Sequence, residues 1–491
     1  MKKFSLLKKT DETPLFCDVV YDLSIDRAMA NLCPDQKRRE YFLDTIAHPL
    51  TKRENIIYRQ EIFRDFVTQP TLFTDLRLLF TRYDKIKSDW QEMKLSGSHG
   101  GSSSVNPEAM LDHTYASLKV TAIFPNTIVS FFRSLYDTLK KYPLEAEGLI
   151  AIRDYCEERI GNNSLNEIVR IAQLFRYKSP EAFSFGVVTK IGETMRVASA
   201  ELFDIEEYQE KKPNVLTKLF AKKPKGPTEY PVEPDDNSYE DSVALLNEAL
   251  TGIDSALTQI TNGVYEIFFG LSREMFFYEA ALLYYDKMTG SRVPLCVPEI
   301  LEAEEDIVVI DRLRDLLLAS GETPVEKIVP NDVDINGTAG ILVKGLTDTG
   351  KTVYLRSCAA AQLFGQAGLP VLADRARLSI RTAYFSHFSS AEEEFMVGDA
   401  AGRFDQEAKE IAKIMDRLTP HAMVFLNETF QTTSYREGTD AIFHVLSVLP
   451  NLNVKFLFVT HLTALFKKMD KTKVCLMETD DTGKYKLKRI V

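Results

Sequence analysis

Three short stretches near the C-terminal end of this 491-residue sequence combine residue types suited to handling a chain of phosphates. The first, Gly345-Leu346-Thr347-Asp348-Thr349-Gly350-Lys351-Thr352, fits the phosphate-loop pattern G-x-x-x-x-G-K-[ST] at every fixed position. Its two glycines let backbone N–H groups wrap phosphate oxygens closely, and a helix starting at the end of the loop adds partial positive charge. In this pattern Lys351 bridges the β- and γ-phosphates and Thr352 ligates Mg²⁺, so ATP and Mg²⁺ are the expected ligands. Asp348 would repel phosphate if it faced inwards, which predicts that its side chain points to solvent. The second stretch, Met423-Val424-Phe425-Leu426-Asn427-Glu428, is an apolar run with a polar end. Glu428 is placed to orient and polarise an attacking water. Asn427 holds the position where an aspartate normally supports the Mg²⁺ shell. It can accept a hydrogen bond from metal-bound water but brings no charge, which predicts weaker Mg²⁺ support and slower hydrolysis. The third stretch is Val459-Thr460-His461. A histidine just beyond a strand can sense a γ-phosphate. Alone, His461 reads as an ordinary strand-end histidine; its place after the other two pieces favours the phosphate role.

Such residues need strands that end together and a helix that starts at the loop. From about residue 300 the sequence supplies them. Ile307–Ile310, Gly340–Val343, Met423–Leu426 and Phe456–Val459 are short apolar, partly β-branched runs, several of them separated by helical segments, which is the pattern of a buried sheet in an α/β domain. The loop follows the candidate strand 341–343 and precedes the candidate helix 353–363. Residues 474–477 and 485–490 read as a closing hairpin. Upstream the texture is helical. Residues 1–90 and 108–210 show apolar residues at helical spacing. His48-Pro49 separates two helices. Residues 242–290 read as one or two long helices interrupted near Gly270. A Gly/Ser-rich break covers 96–104, and a Lys/Pro/Asp-rich break covers about 209–241. The second break reads first as a solvated loop, and alternatively as a basic loop on a DNA-facing surface. The expected class is therefore α + α/β. A mostly helical domain over 1–300, with flexible insertions near 92–107 and 209–241, precedes a P-loop domain over 301–491.

The totals set limits. A chain of this length suggests two to four domains. Its 45% hydrophobic and 27% charged residues are those of a soluble globular protein. A net charge of -11 gives no bulk attraction to nucleic acid, so any such binding needs a local basic patch. The six cysteines form no CxxC pair, which argues against a zinc site or a disulfide framework and fits free thiols in a reducing cytoplasm. No signal peptide is read at the N-terminus and no apolar run of about 20 residues, so no membrane span is expected.

Taken together, the motif residues resemble the ATPase domain of the MutS family, a branch of the ABC-type ATPases. Val329-Pro330-Asn331-Asp332-Val333 resembles the Pro/Ala-Asn-Asp run that the family carries ahead of its phosphate loop, which implies that Asn331 lies near the nucleotide. Gly368-Leu369-Pro370-Val371-Leu372-Ala373 resembles the family's glycine-to-Val-Pro-Ala connection. The segment from Asn427 to Ser434, followed by Gly438, resembles its Asp-Glu-x-Gly-Arg-Gly-Thr-Ser run, and Thr460-His461 matches its Thr-His. Further upstream, Pro49-Leu50, Ile56, Arg59-Gln60 and Phe66 resemble the start of the helical core and lever domain. Residues 271–299 resemble the helix returning from the levers. Phe277-Tyr278-Glu279 matches the letters of the family's mismatch-reading motif, but sits mid-helix among apolar neighbours and reads as packed helix.

The departures from the family are specific. The loop has Thr347-Asp348-Thr349 where the family has Asn-Met-Gly, Asn427 replaces Asp, and Phe430-Gln431-Thr432 replaces Gly-Arg-Gly. Ala401-Gly402-Arg403-Phe404 stands where the family's signature serine caps a partner's γ-phosphate; Gly402 still permits backbone approach and Arg403 supplies charge. The mismatch-reading and connector domains are expected to be absent, as are the C-terminal dimerising helices. The resemblance implies a homodimer in which the ATPase domains sandwich two ATP molecules and the levers grip duplex or branched DNA, in DNA repair or recombination. Lys351, Glu428 and His461 are the expected catalytic residues. Two other readings stay open: an ATP-gated clamp that hydrolyses poorly, and an ABC-type ATPase serving a protein or membrane partner.

Overall fold

The computed structural model describes residues 4–98, 107–161, 163–177, 183–191, 197–207, 236–389, 400–431, 434–479 and 485–490. These partition into two compact units that interleave along the chain. One contains Leu72–Pro143 and Ala151–Gly270; the other contains Ser5–Thr71, Leu144–Ile150 and Leu271–Val491. The expected boundary at 300 lies within the second unit. A family of contacts spanning hundreds of residues, as in the second unit, leaves no local compositional mark.

The first unit is built from helices, including Pro107–Thr121, Phe124–Lys140 and Asn163–Tyr177, together with parts of Pro70–Ser98 and Asp236–Gly290. Its interior is aromatic. Tyr83 stacks on Phe131 at 4.1 Å, Phe268 meets Phe131 edge-on at 4.8 Å, and Trp90 lies 5.2 Å from Phe124. Two expectations fail here. Residues 108–210 are not all helical: β1 (Phe183–Ile191) and β2 (Val197–Glu207) form an antiparallel hairpin. β1 is rich in Val, Ile and Phe, which favour a pleated surface, and β2 carries one of each. The helix Asp236–Gly290 also runs unbroken through Gly270. A single glycine costs a helix only about 1 kcal/mol, too little to break one this long.

The second unit opens irregularly. Residues 5–24 are not helical, contrary to expectation, and over residues 6–10 side chains of the unit bind the backbone instead. Tyr278 Oη donates to Leu6 O (2.5 Å), Arg59 Nε donates to Leu7 O (2.6 Å), and Asn55 Oδ1 accepts from the Lys9 and Thr10 N–H groups. Phe277 and Tyr278 are fully buried in the helix, as packed-helix residues should be. Gly368, in the connection after the loop helix, has φ +80°, and a Cβ there would lie 2.6 Å from Arg59 Cβ, so no other residue fits.

Ten strands make two sheets. β3 (Glu299–Leu301), β4 (Val308–Leu313), β5 (Asn331–Asp334) and β7 (Arg375–Ser379) form one, in the order β3-β7-β4-β5. The other contains β6 (Gly340–Lys344), β8 (Tyr384–Phe388), β9 (Met423–Asn427), β10 (Lys455–Thr460), β11 (Val474–Thr479) and β12 (Leu487–Arg489), in the order β12-β11-β6-β10-β9-β8. It is parallel except for β12, which pairs antiparallel with β11. The near-continuous burial of β6, β9 and β10 is that of strands covered on both faces. The expected α + α/β class is the observed one. The basic and proline-rich stretch from Lys211 to Asp235 lies outside the described residues, as do Thr432 and Thr433. Of the first insertion, 92–98 is helical and 107 begins the next helix. All six cysteines are free. No helix among the described residues is long and apolar enough to cross a membrane.

Candidate nucleotide site

Register brings the three motif stretches together. Thr460 pairs with Lys344 across β10 and β6, while Val459 pairs with Asn427 across β10 and β9. The next residues, Gly345, His461 and Glu428, therefore leave the sheet side by side at its carboxyl edge, the edge where open parallel sheets take ligands. The helix Lys351–Gln366 starts there. Its N-cap is Gly350, at φ +89°, and no side chain caps it, which leaves the helix start to an incoming anion. Gly345 has no room for a side chain: a Cβ would lie 1.9 Å from Thr479 Oγ1.

The loop side chains divide into two sets. Leu346, Thr347 and Asp348 are exposed, so Asp348 points to solvent as expected, with its backbone at φ +61°. Thr349 turns inward, donating to Leu346 O (2.7 Å) and accepting from Thr479 Oγ1 (2.9 Å). Lys351 is buried, and its Nζ lies 2.9 Å from Leu346 O, 3.2 Å from His461 Nε2 and 3.6 Å from Glu428 Oε1. His461 Nε2 is also 3.1 Å from Glu428 Oε1. Thr352 Oγ1 donates to Asn427 Oδ1 at 2.9 Å. Asn331 sits at the same cleft, but spends its amide on backbone, donating to Tyr485 O (3.1 Å) and accepting from Leu487 N–H (2.9 Å).

Burial and neighbouring charge shift this cluster. Burial lowers the Lys351 ammonium, and Glu428 works against that shift. Burial raises the Glu428 carboxyl, opposed by Lys351 and the His461 backbone N–H. Burial and Lys351 lower the His461 imidazole, so it is neutral at pH 7. A lysine, a carboxylate and a neutral imidazole in mutual reach can together grip a terminal phosphate and a water. Thr352 and Asn427 offer two neutral oxygens. No cluster of three or more acidic, histidine or cysteine ligands able to hold a metal occurs among the described residues. That donor set fits Mg²⁺, which prefers substrate phosphates and water to an all-protein cage.

Other features of the site are visible only in three dimensions. A cavity of about 550 Å³ opens beside the loop, walled by Leu313, Leu318, Ile328, Val329 and Tyr485 in addition to residues 347–354. Gln431 Nε2 donates to Glu428 Oε2 and to Thr460 Oγ1. Glu428 itself has φ +55°, a left-handed conformation costing a non-glycine residue roughly 1–3 kcal/mol. The expected signature segment, Ala401-Gly402-Arg403-Phe404, falls in the first turn of the helix Ala400–Arg417. Short apolar, partly β-branched runs marked the strands, but the cavity wall is assembled from four distant segments that no single run marks as a whole.

Two family models match the chain: a MutS2 N-terminal domain over residues 51–291 and MutS domain V over residues 341–486. Similar proteins include the DNA mismatch repair protein MutS of Halalkalibacterium halodurans, 29% identical over 33% of this chain and 20% of that protein. The endonuclease MutS2 of Streptococcus agalactiae is 28% identical over 34% of this chain and 20% of its own length. The DNA mismatch repair protein msh3 of Aspergillus niger is 31% identical over 28% of this chain and 12% of its own. The match spans a fifth or less of the length of these curated relatives. With one model on its helical part and the other on its six-stranded sheet and phosphate loop, the chain belongs to the MutS family.

Proposed function

We propose that this protein binds Mg-ATP at the carboxyl edge of the six-stranded sheet and hydrolyses it, coupling the cycle to DNA. The observation that carries the reading is the meeting of Lys351, Glu428 and His461 within 3.6 Å of one another at the mouth of a phosphate loop. Lys351 leaves Leu346 O for the β- and γ-phosphates. The uncapped helix start and the loop N–H groups take the remaining phosphate oxygens. Glu428 orients the attacking water and accepts its proton; neutral His461 holds a γ-phosphate oxygen. Thr352 and Asn427 face the position for Mg²⁺, which when bound neutralises charge on the phosphate oxygens. The apolar wall of Leu313, Ile328 and Val329 suits a nucleobase.

Membership of the MutS family and the names of the relatives support DNA as the partner, duplex, mismatched or branched, and a homodimer through the ATPase domains. The test is ATP binding and turnover, for the native chain and Glu428→Gln, with and without such DNA at low salt, where phosphate contacts are strongest. Turnover surviving Glu428→Gln ends the enzyme reading; undetectable DNA affinity ends the DNA reading. An ATP-gated clamp with poor hydrolysis is the second reading. It is favoured by Gln431, which occupies one oxygen of Glu428 while His461 and Lys351 approach the other, and by the uncharged Asn427. A protein partner in place of DNA draws support only from the net charge of -11.

A further inference from the structure

The helix Ala400–Arg417 delivers a side chain that belongs to none of the motifs. Glu407 is buried, and both its oxygens are taken by neutral donors. Oε2 accepts the Phe430 N–H at 2.8 Å and Oε1 accepts Ser389 Oγ at 2.6 Å. The turn it holds is the one that leaves β9. Glu428 and Phe430 both adopt left-handed backbone, φ +55° and +61°, around a fully buried Thr429. Thr429 Oγ1 lies 2.9 Å from His387 Nδ1, and the Phe430 ring lies 5.4 Å from Phe404 of the same helix as Glu407. Two left-handed non-glycine residues within three positions do not persist without outside contacts. The buried Phe430 N–H also needs an acceptor, which this carboxylate provides.

We propose that Glu407 is a positioning residue for ATP hydrolysis: by accepting the Phe430 N–H it fixes the turn that aims the Glu428 carboxylate at the phosphate loop. The proposal rests on Glu428 being the base. Its role is geometric, since both Glu407 oxygens are already taken by the Phe430 N–H and Ser389 Oγ. A base displaced by about 1 Å from its working position loses on the order of 100-fold in rate.

The test measures kcat at saturating Mg-ATP, Mg-ATP affinity by calorimetry and thermal melting, on the full chain. Glu407→Ala is expected to lower kcat on the order of 10- to 100-fold while Kd stays within about twofold. Glu407→Gln keeps an oxygen for the Phe430 N–H and is expected to recover most of the rate, which a merely structural carboxylate would not predict. If Glu407→Ala does not fold, Ser389→Ala takes its place; it frees one anchor of Glu407 and should lower kcat severalfold at unchanged Kd. The proposal is overturned by an unchanged kcat in whichever of these two variants folds, by a loss of Kd as large as the loss of kcat, or by Glu407→Gln as impaired as Glu407→Ala. Glu428→Gln run in parallel separates the two levels. An active Glu428→Gln removes the base reading beneath the proposal. An inactive Glu428→Gln beside a normal Glu407→Ala removes only the role of Glu407.

Discussion

The two compact units are held together by different physics. The helical unit packs rings on rings: Tyr83, Phe131 and Phe268 meet in its interior, and the buried Lys87 ammonium beside them lies over the Trp90 and Tyr265 rings and is held by Asn262. The sheet unit buries β6, β9 and β10 with equal thoroughness, yet each ends in a residue that is polar and usable. The motif residues thus sit where buried strands run out, whereas the helical unit's interior is aromatic. The difference teaches that burial alone does not separate scaffold from site; what separates them is whether the buried element terminates among unsatisfied backbone and charged side chains.

This contrast can be broken experimentally. The largest effect is expected from Glu428→Gln, which should reduce turnover on the order of 10²- to 10⁴-fold, the usual range for losing a general base, and leave Mg-ATP binding in place. Lys351→Ala should abolish measurable calorimetric binding of Mg-ATP while the melting of the helical unit is unchanged. In the opposite direction, Phe268→Ala should cost the helical unit about 3–5 kcal/mol in denaturant unfolding, with ATP affinity untouched. A parallel fall in ATP affinity would show the two units to be one energetic body. Asn427→Asp should lower the Mg²⁺ concentration needed for half-maximal turnover, by adding the missing charge. The smallest effects are on pH. Burial raises Glu428, so the acid limb of the turnover profile should lie above that of an exposed carboxylate. Glu274, which receives the Leu6 N–H and Ser5 Oγ, is pushed by burial from 4.5 up to about 7. A carboxyl whose folded pKa is raised favours the fold most below its ordinary value, and that contribution is lost as pH rises through about 7. Melting temperature should therefore fall across that window in the native chain and less steeply in Glu274→Gln.

The phosphate loop was legible because its chemistry is contiguous: eight neighbouring residues make the turn and begin the helix. Glu428 and His461 were legible because each follows an apolar run, and parallel register does the rest. The hairpin β1–β2 was not, since stretches of Val and Phe satisfy helical and strand spacing alike when no partner is visible. Gly270 misled because helix length outweighs one weak residue. Glu407 was illegible for a different reason: it acts through a backbone N–H on another element, 23 residues away, and no local spacing encodes that.

Thr349 of the phosphate loop meets Thr479, 130 positions further along, and Asn331 meets Tyr485, 154 positions further along. Tyr485, which lines the cavity beside the loop, is therefore synthesised long after the loop itself. The wall around the phosphate loop is complete only once β11 and β12 have been made and docked, and long-range closures of this kind are slow to form.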